Sequence, residues 1–198
     1  MANDNHAREA AFATRKIVAG LFMSLDGVVD SPANSPHKWI NEQLMTQIAA
    51  GIAQADAVLL GPGTYRLLAQ FWQHQSNDVP MANFLNNSTK YVVSNTVDTL
   101  EWQPAALIKG NVAEEIAKLK LQPGKNIQIP GSPSLVRSLL RDGLLDELSL
   151  NICPVVAGSG MRLFDNINDQ VNLELADSKI YSNGVLGVTY RPVRSVDK

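Results

Sequence analysis

The chain is poor in the residues that most often carry metal and thiol chemistry: one cysteine and three histidines in 198 residues. The single cysteine excludes an intrachain disulfide and gives no reason to place the protein in an oxidising compartment. Cys153 stands in the apolar stretch Leu150–Val156 and reads as a buried, inert thiol. His6, His37 and His74 are not spaced with carboxylates or a second cysteine as a ligand set would be, so no metal site is expected. No apolar run reaches the roughly 18 residues of a membrane span. Residues 1–14 are polar without a signal-peptide core, so the cytoplasm is the expected compartment. A surplus of basic residues is also missing: the formal net charge is −2, which argues against a nucleic-acid partner. The hydrolase motif Gly-x-Ser-x-Gly does not occur, and Gly158-Ser159-Gly160 reads only as a loop that bends the chain after a strand. Ser24, Asp26 and His37 are close in sequence, but a triad is recognised by geometry.

What is present fits one domain of ordinary size. Hydrophobic residues make up 45% and charged residues 18%, enough for a real core. Residues 1–14 read as a flexible tail and 15–198 as the domain. Lys16–Met23 is mostly apolar and reads as a central strand. Ile40, Leu44, Ile48 and Ile52 recur at helical spacing and predict an amphipathic helix over Trp39–Ala55. Short strands are expected at Val58–Leu60, Tyr91–Val93, Ala106–Ile108 and Ile127–Ile129, with a helix over Thr64–Phe71. Asn111 followed by Glu114 predicts a capped helix with Val112, Ile116 and Leu119 inside. Ser132 as N-cap and Pro133 as first helical residue predict another, stopped at Gly143. From Asp146 the pattern is strands only, and Asn183-Gly184 marks a tight hairpin turn. This order predicts an α/β fold: a mixed, mostly parallel sheet between helices, with a C-terminal antiparallel hairpin.

The most informative feature is a repeated junction. Ala57–Leu60 runs into Gly61-Pro62-Gly63-Thr64-Tyr65, and Ile127–Ile129 runs into Pro130-Gly131-Ser132-Pro133. In each, a strand meets a glycine and then a helix start. A helix start carries unpaired N–H groups and the positive end of the dipole. Glycine lets a phosphate approach that backbone. Two such turns in one domain suggest a ligand with two or more phosphates, and a dinucleotide is the natural candidate. Asp26 has two readings: a turn former in Asp26-Gly27, or a residue touching substrate. Trp39 and Trp72 suit either the wall of a pocket for a flat ring or core packing.

Leu21–Val28 (LFMSLDGV), Val58–Tyr65 (VLLGPGTY), Gly131–Val136 (GSPSLV), Gly143–Leu148 (GLLDEL), Pro154–Phe164 (PVVAGSGMRLF) and Ser182–Val185 (SNGV) follow one another in this order. Together they resemble the dihydrofolate-reductase-like proteins of the riboflavin-biosynthesis reductase type, over about Arg15–Pro192. The resemblance implies a dihydrofolate-reductase-like, three-layer α/β/α fold, an NADPH site and a homodimer. It implies a reductase of a small molecule, such as a phosphoribosylaminouracil. By likeness, Gly61, Thr64 and Tyr65 lie at one cofactor phosphate. Gly131, Ser132 and Leu135 flank the pyrophosphate, and Ser94, Asn95 and Thr96 lie near the adenosine end. Ser24, Asp26 and Trp39 face the substrate, with Asp26 as the catalytic candidate. The zinc deaminase domain often joined to such reductases needs His-x-Glu and paired cysteines, which this chain does not have.

One position departs from the family pattern. Pro62 stands where the family usually has arginine, and proline offers neither charge nor N–H to a phosphate. NADH therefore joins NADPH as a candidate cofactor, with Arg66, Lys90 or Lys109 as replacement cations. Pro62 also favours a second class of function, a non-catalytic nucleotide- or ligand-binding protein on the same fold. The apolar strand Leu148–Val156 and the final hairpin offer surface for a second copy of the chain.

Overall fold

Apolar residues on both faces make Ile17–Ser24 (β1) the buried centre of the sheet. The computed structural model describes residues 14–31, 33, 35–167 and 170–193. His6 and the tail expected over 1–14 fall, apart from Thr14, outside the described residues. The remaining strands are Ala55–Leu60 (β2), Thr89–Val93 (β3), Ala105–Ile108 (β4), Asn126–Ile129 (β5), Glu147–Cys153 (β6), Leu173–Ile180 (β7) and Leu186–Pro192 (β8). The helices are Pro36–Trp39 (α1), Glu42–Ala53 (α2), Pro62–Trp72 (α3), Pro80–Asn87 (α4), Val112–Lys120 (α5) and Pro133–Arg141 (α6).

The sheet runs β4-β3-β2-β5-β1-β6-β8-β7. Strands β1 to β6 are mutually parallel, and β8 is antiparallel to both β6 and β7. In the centre, Val18 lies between Gln128 of β5 and Glu147 of β6. Alternation along β2 divides the interior. Ala57 and Leu59 join a cluster with Ile116 and Leu119 of α5 and Leu135, Val136, Leu139 and Leu140 of α6. Val58 and Leu60 join a second cluster with Tyr65 of α3, Leu85 of α4 and Trp102. Leu44 of α2 packs on Tyr181 and Val185 in a third. Helices on both faces of a mixed sheet complete the three-layer α/β/α arrangement expected. Cys153 is fully buried, and burial pushes its thiol up to about 11. No helix among the described residues is long and apolar enough to cross a membrane.

Three local expectations need correction, and one helix had no counterpart in the sequence reading. The helix predicted over Trp39–Ala55 is broken at Ile40, which is extended, and restarts at Asn41, whose side chain accepts the Leu44 N–H at 2.9 Å. A favourable Asn cap outweighs continuation there. The region before β3 contains α4, eight residues with only Ala82 and Leu85 buried, too short for a periodic pattern to stand out. The Asn183-Gly184 turn is not a two-residue turn. Gly184 donates to Tyr181 O and Tyr181 to Val185 O, both at 2.9 Å, with only Gly184 at positive φ. Asn183 instead points its amide at Trp39 O, a tertiary contact that local turn statistics do not contain. Finally, β6 lies inside the sheet, so its apolar residues are not a free surface. The exposed apolar residues of the hairpin are Leu175 and Ile180 on β7, the outer strand, and Leu186 at the start of β8.

Leu59 is fully buried where the sheet meets α5 and α6. Leu59→Ala is expected to cost about 2–5 kcal/mol of unfolding free energy, the range for emptying a buried leucine site. Urea denaturation of the two proteins measures it.

Candidate functional site

Parallel strands end on the same edge, and that edge collects the turns singled out by sequence. Gly61 follows β2, Ser94 follows β3, Gly131 follows β5, and Asp26 follows β1. Because β2 pairs with β5, with Val58 opposite Gln128, the two glycine turns are neighbours. They are also bonded: the Gly61 N–H donates to Ser132 Oγ at 2.8 Å. Gly131 has φ +120°, and a Cβ there would meet Thr64 Cγ2 at 3.3 Å. Glycine at 131 thus avoids a strained φ and a tight contact with the Thr64 methyl. Pro133 is the first residue of α6, as expected, but Ser132 does not cap it. Its backbone is left-handed (φ 60°, ψ 66°), which turns the hydroxyl toward Gly61 and leaves the α6 start without a side-chain cap.

The other expected cofactor residues separate into backbone and core. Tyr65 is buried. Its hydroxyl accepts the Trp102 N–H at 2.7 Å and donates to Trp102 O at 3.4 Å, so its side chain holds the Trp102 loop and does not face a phosphate. Leu135 is likewise a core side chain, leaving its main chain to the α6 start. Thr64 is half-buried beside Gly131. Ser94 is buried, and its Oγ accepts the N–H groups of Thr96 and Val97. Asn95 and Thr96 are exposed on that turn, and Asn95 Oδ1 accepts the Gly110 N–H at 3.1 Å, joining the ends of β3 and β4.

Of the three cations considered as phosphate partners, one is removed. Lys90 is fully buried, donating to Leu85 O at 2.7 Å and Ser88 O at 3.0 Å, with its ammonium 4.6 Å from the Trp102 ring centre. Burial lowers its pKa to about 8. Lys90 therefore closes the end of α4 and cannot reach a ligand. Lys109 pairs with Asp98 at 2.8 Å. Arg66 is exposed on α3 and has no polar partner among the described residues.

Around Asp26 the structure joins two motifs that lie 130 residues apart. Ser24 Oγ donates to Asp26 Oδ1 at 2.7 Å, and the carboxylate accepts the N–H groups of Ala157 and Gly158, each at 2.9 Å. Leu25 donates to Val155 O, Val29 to Met161 O and Leu163 to Gly27 O, while Arg162 Nε reaches Asp26 O at 3.1 Å. Gly160, at φ +123°, has no room for a Cβ, which would lie 2.6 Å from Asp30 Oδ1 and Val28 Cγ1. The glycine loop after β6 is thus a clasp on the β1 loop, a role that the sequence reading missed. The Ser24 hydroxyl first, and then the Ala157 N–H, hold the Asp26 carboxyl down at about 2. At neutral pH it is an anion that orders both loops and can offer charge, but not a proton. Trp39 is half-buried. Its indole donates to Ala33 O at 2.9 Å and it packs against the Leu44, Tyr181 and Val185 cluster. Tyr181 is buried, and its hydroxyl has no hydrogen-bond partner among the described residues.

A separate groove lies away from this edge. A cavity of about 970 Å³ lies at the amino ends of β1 and β6, between α5 and α6, lined in part by Lys120, Leu121, Arg137, Leu144 and Val171. The convergent polar groups lie instead at the strand-end turns. Among the described residues no group of His, Cys, Asp or Glu could hold a metal ion.

The clasp has a defined pH dependence. The folded Asp26 pKa lies below its ordinary value of 3.8, so its contribution is full above about 4 and is lost as pH falls toward 2. Amide exchange at Ala157 and Gly158 is expected to stay slow in the wild type down to pH 4 and to quicken below it. Asp26→Asn is expected to exchange fast at every pH in that window.

Comparisons with known proteins agree with this geometry. The family model described as the RibD C-terminal domain matches residues 15–187. The uncharacterized protein YyaP of Bacillus subtilis (strain 168) is 30% identical over 179 residues, covering 89% of this chain and 94% of that protein. A solved structure of a putative riboflavin biosynthesis protein from Shewanella sp. PV-4 superposes with a TM-score of 0.74 at 20% identity, over 90% of this chain and 99% of that one. Dihydrofolate reductase from Enterococcus faecalis, complexed with NADP(H), gives 0.62 at 15% identity, over 92% and 99%. These structural likenesses establish the dihydrofolate-reductase-like fold, and with the family match over residues 15–187 the chain belongs to the RibD C-terminal domain family.

Proposed function

We propose that the protein is an NAD(P)H-dependent reductase of a small organic molecule, of the riboflavin-biosynthesis reductase type. The observation that carries this reading is the pair of bonded glycine turns beside the uncapped start of α6. Uncapped N–H groups at the α6 start, the helix dipole and a glycine beside them suit a pyrophosphate. The turn at 94–96 lies one strand beyond Gly61 and suits the adenosine end. When bound, the nicotinamide supplies the hydride. The chain's own part is to bind and orient. The clasped loops around Asp26 form the wall at the end of β1, and the Asp26 carboxylate offers a substrate a fixed acceptor and negative charge beside Ser24. As a carboxylate it holds no proton to give, so the proton for the reduced product comes from another donor.

Titration with NADPH and NADH, followed by a screen of carbonyl and imine compounds for cofactor oxidation, tests the reading. Binding with turnover supports it. Binding without turnover on any compound supports the second reading, a nucleotide-binding protein without catalysis, which Pro62 favours.

Pro62 removes a charge-assisted phosphate contact worth about 1.5–3 kcal/mol, or about one to two orders of magnitude in affinity. With Lys90 buried, Arg66 on α3 and the exposed Lys109, paired with Asp98, are the candidates that stay accessible, and Arg66 is the one on the helix that Pro62 begins. We expect weak discrimination in the wild type, with NADPH bound no more than about tenfold more tightly than NADH. Pro62→Arg is expected to raise that ratio by about one to two orders of magnitude, and Arg66→Ala to bring it to about one. The six dissociation constants decide the matter.

The hairpin supports a homodimer. Strand β7 is the sheet edge, and its Leu175 and Ile180 are 53% and 78% exposed. An unpaired edge with such residues is a site of association. Sedimentation equilibrium at micromolar concentration is expected to give twice the chain mass, and Ile180→Lys to give the monomer.

A further inference from the structure

Among the described residues, Tyr181 alone has a buried side-chain polar atom left unpaired. It is 1% exposed and packs with Leu44, Ile48, Trp39 and Phe22, yet its phenol oxygen meets no donor or acceptor. A buried tyrosine usually finds a partner for its hydroxyl, and a core position with none is better filled by phenylalanine. The ring lies against the sheet at Gly187, where a Cβ would meet Tyr181 Cε2 at 2.8 Å and the hydroxyl at 3.2 Å.

Beside this phenol the sheet is open. Gly20 and Phe22 of β1 face the α2 side, since Ala19, Leu21 and Met23 face α5 and α6. Ser149 and Asn151 of β6 pair with them, and Thr189 and Gly187 of β8 pair with those in turn. Gly20 stands midway along the central strand, but a Cβ on it would meet nothing within 4 Å. Helix α2 buries only Leu44 of its twelve residues and does not fill that space. Ser149, Asn151 and Thr189 are half-buried around it. The Ser149 and Thr189 hydroxyls bond each other at 2.9 Å, and the Asn151 side-chain amide has no partner among the described residues. The space adjoins the candidate site. Ser24 follows Phe22 on the same face, and the pairing of Ala19 with Ile129 sets Gly20 beside the second glycine turn.

We propose that the space over Gly20 seats an uncharged carbonyl group of the substrate, with the Tyr181 hydroxyl donating to its oxygen and the Asn151 amide as the second partner. The lining (Gly20, Phe22, Ser149, Asn151, Thr189 and Tyr181) carries no charge, and the Lys179 ammonium is committed to the Tyr181 ring, 5.2 Å from its centre. An ionised group there would lose hydration without gaining a counter-ion. Burial first, and then the Asp177 carboxylate, raise the Tyr181 pKa, so at neutral pH the phenol keeps its proton and acts as a donor. This inference rests on the reductase reading above, in which a small organic molecule occupies the site.

Groups kept for a ligand cost stability in the free protein. Tyr181→Phe removes the unpaired hydroxyl and is expected to melt about 2–4 °C above wild type. Gly20→Val puts methyl groups into the open space on ordinary strand backbone and is expected to melt no lower than wild type. Benzamide and benzoate, alike in shape and different in charge, are the probes. They are titrated without cofactor by NMR, on the Gly20 and Asn151 amide signals. The wild type is expected to bind benzamide, and benzoate at least about tenfold more weakly. Tyr181→Phe is expected to weaken benzamide about three- to tenfold, the scale of one neutral hydrogen bond, and Gly20→Val to abolish its binding. Absent benzamide binding, equal binding of the two probes, or wild-type affinity in either variant overturns the proposal. So does a melting temperature at or below wild type in Tyr181→Phe, or below it in Gly20→Val. A parallel NADPH titration separates this inference from the reductase reading. NADPH binding without a benzamide response removes the carbonyl site and leaves the reductase reading standing. The benzamide pattern without NADPH binding does the reverse and leaves a ligand pocket on a protein that is not a reductase.

Discussion

Six mutually parallel strands put their carboxyl ends along one edge of the sheet, and the whole candidate site depends on that constraint. Parallel pairing requires each strand to return through a long crossover, so every strand end opens into a turn on the same side. Gly61, Ser94, Gly131 and Asp26 are far apart in the chain and meet only because β1, β2, β3 and β5 run the same way. The strand order adds the second half of the rule. Placing β5 between β1 and β2 sets the two glycine turns side by side, with the β1 loop next to them.

At that edge, polar side chains are used to fasten one turn to another. Ser132 binds the turn after β2, Asp26 binds the loop after β6, and Asn95 binds the end of β4. Each is a short side chain satisfying backbone N–H groups that the ends of strands and helices leave open. The same economy explains Lys90, a buried cation that closes α4 through two carbonyl oxygens and lies over Trp102. A buried ammonium without those partners would be strongly unfavourable. The edge is thus preorganised as a set of turns fastened to one another.

Much of the fold was legible. Period-two and period-3.6 patterns placed β1, β2, β5, α3, α5 and α6 closely, because those elements each bury a clear apolar face. Asn111 and Gly143 marked ends for local reasons, and local reasons are what sequence patterns contain. Helix α4 was missed because two buried residues in eight make a faint stripe. The break at Ile40–Asn41 was missed because the apolar spacing continued across it. At the candidate site, the glycine turns were legible as backbone features, while the partners of the side chains around them were not. Tyr65, Ser132 and Lys90 pair with Trp102, Gly61 and the α4 carbonyls, tens of residues away or hidden by a helix that the pattern did not reveal.

The sequence by itself determined the local conformations: which segments are strands, where glycine permits a close approach, and where proline begins a helix. These depend on a residue and its near neighbours, through backbone sterics and the spacing of apolar side chains. Only the tertiary structure decided which polar groups remain open. A hydroxyl, an ammonium or a carboxylate is committed by whatever donor or acceptor packing brings within 3 Å, and packing is a property of the whole sheet. That is why Asp26, read from a turn motif, is an anion clasping two loops together.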